Sequence, residues 1–190
     1  ISNYDECEVF VRLGSETQTV IPGFAELHDM QEHRNLLTKN NAQTYRTVNT
    51  DVDFIRLHFE MPSLFEISKK GEYEKFKTAA DIAFRRVGDA TWTAAEGFSY
   101  EGMSTVILRR SKRVILPEAG EYDIRITKTT GDSAERRQSD LYLTGIDEIK
   151  YEDLAYPFTA LLGLRVMATD QLSGSLNNVT VLVQGRKVDK

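Results

Sequence analysis

The stretch from Phe54 to Met61 constrains the fold more than any other, because Ile55, Leu57, Phe59 and Met61 alternate with Arg56, His58 and Glu60. A period of two marks an extended strand with one buried face. A helix cannot gather those four apolar side chains on one side, so the segment is a strand, closed by Pro62. The alternation returns at Tyr122, Ile124 and Ile126, at Leu164, Val166 and Ala168, and at Val179, Val181 and Val183. Shorter versions stand at Val9 to Leu13, Arg113 to Leu116 and Leu141 to Leu143. Between the runs lie Asn40-Asn41, Gly88-Asp89, Pro117 to Gly120, Gly131-Asp132 and Ser173-Gly174, residue types that tolerate tight or left-handed backbone. Many short strands separated by turn signals predict a mainly β chain built as an antiparallel sandwich.

One segment resists this reading. Tyr73, Phe76, Ala80, Ala83, Phe84 and Val87 also fit a helix, with Ser68 as its cap. The sequence leaves 73–87 open between strand and helix. A strand from about Ala80 to Val87 is preferred, because Val87-Gly88-Asp89-Ala90-Thr91-Trp92 has the form of a hairpin tip with Trp92 returning along the partner strand.

Composition excludes several functions. Twenty-four basic residues against 29 acidic ones leave a net charge of −5, so the chain lacks the surplus cations that displace counterions from a nucleic acid, and no nucleic acid is expected as partner. No apolar run approaches the roughly 20 residues that span a bilayer, which argues against membrane insertion. The start at Ile1-Ser2-Asn3-Tyr4-Asp5 has neither the basic nor the apolar region of a signal peptide. Beginning without Met, the chain reads as an internal piece of a longer protein. Its 190 residues suit one domain, or one plus an appendage. With no internal repeat, low-complexity tract or Pro/Ser-rich linker, they read as one compact unit.

The candidates for chemistry are weak for definite reasons. A lone Cys7 cannot close an intramolecular disulfide and has no base placed beside it, so it reads as a packed thiol. His28, His33 and His58 would supply three metal ligands, but the spacing of five sets His28 and His33 on opposite faces of a strand. No glycine-rich phosphate loop is present. Gly97-Phe98-Ser99-Tyr100-Glu101-Gly102 misses the hydrolase elbow by one residue and reads as a surface loop. Asp147-Glu148 and Glu152-Asp153 read as a solvated strand edge rather than as an acid–base pair or a calcium site. Arg109-Arg110-Ser111-Lys112-Arg113 lies between Val106-Ile107-Leu108 and Val114-Ile115-Leu116, which makes it the polar middle or edge of a strand rather than a polyanion patch. Asn178-Val179-Thr180 is a sequon that matters only in a eukaryotic secretory setting. No catalytic, cofactor-binding or metal-binding residue is therefore assigned, and no cofactor.

The order of the strand motifs resembles a known family, the tail-tip attachment (J-type host-specificity) proteins of long-tailed bacteriophages and prophages. The resemblance runs from Ile21-Pro22-Gly23-Phe24 through Thr47-Val48-Asn49-Thr50-Asp51-Val52-Asp53 into Ile55-Arg56-Leu57-His58-Phe59 and Met61-Pro62-Ser63-Leu64. It continues at Arg110-Ser111-Lys112-Arg113-Val114-Ile115-Leu116-Pro117 and Gly120-Glu121-Tyr122-Asp123-Ile124-Arg125-Ile126. Tyr156-Pro157-Phe158-Thr159-Ala160-Leu161-Leu162-Gly163-Leu164-Arg165, Gln171-Leu172-Ser173-Gly174-Ser175 and Val183-Gln184-Gly185-Arg186-Lys187-Val188 complete it. The chain departs from the family at Lys128 to Ser133, where an Arg and then Thr-Pro-Asp-Ser are common, and at Leu176-Asn177-Asn178, where a proline often follows the turn.

The resemblance implies a fibronectin-III-like antiparallel β-sandwich over 26–150 and a small discontinuous β-module from 1–25 and 151–190. Strands are expected near Gln43–Val48, Phe54–Met61, Ala80–Val87, Thr91–Ala95, Thr105–Leu116, Glu121–Thr129 and Leu141–Lys150, with Val9–Leu13 beside a hairpin of Leu161–Ala168 and Val179–Val188. It further implies a non-enzymatic structural role in tail-tip assembly and host attachment. The protein would be made in the bacterial cytoplasm and placed at the virion tail tip. Its partners would be other regions and copies of the parent protein, as a trimer, then other tail proteins or a host surface receptor. The alternative from a different class is a carbohydrate-binding β-sandwich of a secreted bacterial protein. A single Trp, with Tyr100, Tyr142, Tyr151 and Tyr156 scattered among apparent core positions, counts against that alternative.

Overall fold

The computed structural model describes residues 7–152 and 154–166, and it contains strands and turns but no helix among them. In chain order the strands are β1 (Cys7–Arg12), β2 (Glu26–Leu37), β3 (Ala42–Arg46), β4 (Val52–Met61), β5 (Phe65–Ile67), β6 (Tyr73–Glu74) and β7 (Phe76–Arg86). They continue as β8 (Thr93–Ala94), β9 (Phe98–Gly102), β10 (Leu108–Gly120), β11 (Tyr122–Lys128), β12 (Arg137–Gln138), β13 (Leu141–Tyr151) and β14 (Leu161–Val166). Two compact units result, one of Ala25–Glu152 and one from the chain up to Phe24 with the chain beyond Glu152.

In the larger unit, sheet I has the order β10-β4-β13-β2, and sheet II the order β3-β11-β7-β8 with β9 also on β7. All of these pairings are antiparallel. A small sheet, β12-β5-β6, stands apart. Strand β4 behaves as its alternation demands: Ile55, Leu57, Phe59 and Met61 are buried against Ala80, Ile82 and Phe84 of β7 and Ile124 and Ile126 of β11. The ring of Phe59 stacks on Phe98 of β9 with centroids 4.4 Å apart. Each such side chain contributes about 1.5–3 kcal/mol when taken out of water. The two apolar faces therefore hold the sheets together.

Two of the corners that carry the chain between the sheets meet at Tyr122. From β3 in sheet II to β4 in sheet I, Thr47 N–H donates to Tyr122 O (2.9 Å), and Tyr122 N–H donates to Thr47 Oγ1 (3.0 Å). From β10 in sheet I to β11 in sheet II, the Tyr122 hydroxyl donates to the carbonyl of Glu118, four residues upstream, at 2.8 Å. That is the tyrosine corner of immunoglobulin-like sandwiches. Pro117 sits in edge strand β10, inside the register shift between Ile115 and Gly120, where no regular ladder bond is lost.

Several expectations are refined or corrected. The 73–87 segment is extended: in β7 Thr78, Ala80, Ile82 and Phe84 are buried, and the residues between them face outward. Trp92 precedes β8 instead of returning along it, since β8 pairs only through Thr93 and Ala94. Gly88, at φ +97°, makes the turn that ends β7, where Asp89 N–H reaches the carbonyl of Arg86. The presumed surface loop at 97–102 is instead strand β9 with Phe98 buried. Strand β10 begins at Leu108 rather than near Thr105. The twelve-residue β2 has no counterpart among the expected strands. Its polar string Glu-Leu-His-Asp-Met-Gln-Glu-His-Arg-Asn carries no apolar alternation, and it is extended because β13 pairs along nearly its whole length.

The smaller unit pairs β1 with β14 antiparallel, from Cys7↔Val166 to Arg12↔Leu161. Gln18 fastens its loop: Oε1 accepts from Gly14 N–H (2.7 Å), and Nε2 donates to the carbonyl of Thr159. Gly14 is needed there, because at φ +89° a Cβ would stand 2.9 Å from the backbone of Phe158. The expected strand at Val179–Val188 and the end of the hairpin at Ala168 lie outside the described residues.

Replacing Leu57, which is fully buried, by Asp places a carboxylate in the apolar interface and is expected to cost several kcal/mol, enough to unfold the sandwich. Tyr122→Phe keeps the ring and removes one hydrogen bond, for a loss of about 1 kcal/mol in urea-melt stability. A Leu57→Asp chain that melts like the parent protein contradicts the register.

Candidate functional site

Strand β13 carries the first surprise. Asp147 and Glu148, expected at a solvated edge, are 5% and 3% exposed. The reason is topological, since β13 lies between β4 and β2 and has no free edge. Being consecutive, the two carboxylates leave the strand on opposite sides. Glu148 accepts from the backbone N–H groups of Val48 (2.7 Å) and Asn49 (2.8 Å) and from the Asn49 side chain (2.8 Å). A buried carboxylate saturated by donors is a fastening for the crossover between the sheets rather than a free acid or base.

On the outer side, Asp147 Oδ2 is 2.8 Å from His28 Nδ1 and 3.8 Å from an Arg56 nitrogen. Burial pushes the nearby His58 imidazole below its usual range, opposed by the charge of Asp147. Asp147 Oδ1 and His58 Nε2 are buried with no hydrogen-bond partner among the described residues. His33 lies elsewhere, its ring 4.9 Å from that of Tyr45. The three histidines are thus not brought together, and no group of three or more His, Cys, Asp or Glu among the described residues has the geometry to hold a metal ion. The Cys7 side chain lies outside what the structure describes.

The basic run occupies an edge strand, β10, and its charges face neighbours. Arg109 pairs with Glu60 at 2.9 Å and Lys112 with Glu96 at 2.8 Å. The guanidinium of Arg110 lies over Tyr100 and that of Arg113 over Phe54, 4.6 and 3.7 Å from the ring centroids. Such pairs add little stability individually but leave an edge that resists unwanted pairing.

The outer face of sheet II is organised by register. Asp123 of β11 is flanked by Arg46 of β3 and Arg85 of β7, with the guanidinium nitrogens 2.8 and 3.0 Å from its oxygens. Two residues on, Arg125 lies between Thr44 and Ala83, and beyond it Thr127 lies between Ala42 and Asp81. Trp92 covers part of this face, with the guanidinium carbons of Arg85 and Arg125 at 4.6 and 4.3 Å from its ring centroid. A shallow hollow of about 220 Å³ opens beside it, lined by Ala42, Asp81, Ile82, Ala83, Arg125 and Thr127. Sequence reasoning missed this constellation because its members are single residues on three strands and a turn. The signal available was the pair of charged residues, Asp123 and Arg125, alternating with the buried Ile124 and Ile126.

At the end of the same strand, Lys128 is fully buried. Its ammonium donates to Asp132 Oδ1 (3.0 Å) and to the carbonyl of Ser139 (2.7 Å), which ties the β11–β12 loop to the core. Lys128 is therefore a structural cation.

Hydrogen bonding from Arg46, joined by that from Arg85, holds the Asp123 carboxyl below the ordinary carboxylate range despite its burial. A depressed folded-state pKa adds stability that is present above the unfolded-state value, about 3.9, and is lost as pH falls through the folded value. The urea midpoint should therefore fall on acidification below pH 4, and Asp123→Asn should flatten that limb. An acid limb unchanged by the substitution contradicts the assignment.

The receptor binding domain of the spike protein P1 from bacteriophage PM2 is 12% identical, with 63% of this chain and 93% of that one covered at a TM-score of 0.34. The stem and receptor binding domain of the same spike protein is 9% identical, with 78% and 97% covered at a TM-score of 0.30. At such scores neither defines a shared fold. No curated protein matches the chain. Residues 32–152, by contrast, match the model of the tip attachment protein J, FNIII-A domain. That match spans well over half of the chain and nearly all of the two-sheet sandwich, so the protein belongs to the tip attachment protein J family.

Proposed function

We propose that this chain is a non-catalytic structural module at the phage tail tip, which contributes to tip assembly and host attachment through copies and other regions of a longer attachment protein. One observation carries the reading: the segment matched to the tip attachment domain coincides with a closed sandwich whose buried polar groups fasten its own loops. Glu148 and Lys128 are occupied in this way, and Asp123 is neutralised by two arginines. A rigid module suits a part that transmits load and sets spacing. The division into a sandwich at 26–150 and a β-module from 1–25 and 151–190 belongs to the same proposal. The pairing of β1 with β14 across the ends of the chain supports it.

The copies associate as a trimer chiefly through regions beyond this sandwich. The 190-residue chain alone is accordingly expected to scatter light as a monomer or weak dimer at micromolar concentration. A stable trimer would place the assembly surface within it. In a phage carrying the full-length protein, Leu57→Asp is expected to abolish correctly tipped, adsorbing particles, seen by electron microscopy and cell-binding counts. Normal particles that adsorb at the parental rate contradict the structural role.

A further inference from the structure

The outer face of sheet II holds a half-buried guanidinium, that of Arg125, with no ion pair among the described residues. Arg46 and Arg85 are both committed to Asp123, but the guanidinium of the half-buried Arg125 makes no ion pair or hydrogen bond among the described residues and rests against Trp92. A guanidinium held against an aromatic ring is fixed in orientation, with its donor fork available to a planar acceptor. The neighbouring positions are small: Ala83 beside it on β7, and Ala42 beside Thr127 on β3. They leave the floor of the 220 Å³ hollow open. At its other side stand Thr127 and the exposed carboxylate of Asp81.

We propose that this hollow binds one carboxylate-bearing sugar unit of an acidic polysaccharide, with Arg125 taking the carboxylate in a two-point hydrogen bond and Thr127 and Asp81 taking ring hydroxyls. The choice of ligand follows from the mixture of groups. A bare anion or an acidic peptide would satisfy Arg125 but meet repulsion from Asp81. A neutral sugar would leave Arg125 unmatched. A hydroxyl-rich acid answers both, because hydroxyls donate to a carboxylate while the acid group accepts from the guanidinium. The hollow is smaller than the roughly 300 Å³ at which drug-sized pockets begin, which fits a single ring and a site repeated along a polymer rather than a cofactor. As a contact with a cell surface, the proposal rests on the host-attachment part of the function above.

Trp92 is the only tryptophan in the chain, so its fluorescence reports on the surroundings of the Arg125 guanidinium against it. The purified chain is titrated with polygalacturonate at about 0.15 M salt, where long-range attraction between exposed charges is largely screened. Dextran, polyglutamate and inorganic phosphate serve as the neutral, acidic-peptide and simple-anion comparisons. A saturable change is expected with polygalacturonate and none with dextran. Arg125→Gln, with an unchanged circular-dichroism spectrum and melt, is expected to weaken binding by about tenfold or more, the worth of a charge-assisted pair. Arg125→Lys should recover only part of it, because an ammonium lacks the fork.

The proposal is overturned if polygalacturonate gives no change, if polyglutamate or phosphate does as well, or if Arg125→Gln titrates like the parent chain. Failure here leaves the particle-assembly experiment untouched. Normal particles from Leu57→Asp would remove the structural role while leaving this titration standing.

Discussion

The contact between the inner face of β4 and the facing strands β7, β9 and β11 is the constraint on which the rest of the larger unit depends. Leu57, Phe59, Ile124 and Ile126 are effectively excluded from water, and the burial of such faces is the dominant favourable contribution to folding. Everything polar in the sandwich is arranged around that contact. Tyr122 belongs to it through its ring and turns a corner with its hydroxyl. Glu148, across the ladder from Ile55, holds the other corner through Val48 and Asn49. Removal of either fastening would loosen a connection between sheets, whereas disruption of the apolar contact would separate the sheets themselves.

Once the inner faces are sealed, the outer faces differ in what they can do. The outer side of sheet I carries ion pairs, with His28 and Arg56 around Asp147 and Arg109 on Glu60, beside the unpartnered Asp147 Oδ1 and His58 Nε2. On sheet II, Arg46 and Arg85 are neutralised by the central carboxylate of Asp123, whereas Arg125 makes no ion pair among the described residues and shares its hollow with the exposed carboxylate of Asp81. A guanidinium and a carboxylate left beside each other on a surface do not stabilise the fold, and that mixture is why the face reads as a contact surface for a ligand that carries both an acid group and hydroxyls.

Legibility in the sequence followed burial. Strands β4, β7, β11 and β13 have one face in the core; β4 and β11 alternate as a period of two requires and could be read residue by residue, whereas 73–87 fits a helix as well and is decided only by its pairing with β11. The family resemblance was legible in part for the same reason, because its motifs include β4, β10 and β11 and the corners beside them. Strand β2 was not legible, since only Leu37 in it is buried and its extension is imposed by pairing with β13, a long-range effect absent from local pattern. Asp147 and Glu148 misled because charge in a sequence suggests water. Placement in a central strand overrode that expectation, and donors from 100 residues away satisfied Glu148. The Arg125 and Trp92 contact was hidden because it joins a strand to a turn on the neighbouring hairpin, a meeting that only register determines.

The central claim is that the two-sheet contact is the cooperative core of the sandwich, and amide hydrogen exchange resolved by residue tests it most directly. Amides of β4, β7, β11 and β13 near Leu57, Ile82, Ile124 and Ile146 should be the slowest and should exchange together, at the free energy of global unfolding. Those of the small sheet β12-β5-β6 and of β8 should exchange earlier. If the amides at Leu57 and Ile124 exchange as fast as those of the small sheet, or at two separate free energies, the sheets do not form one core and the account is contradicted.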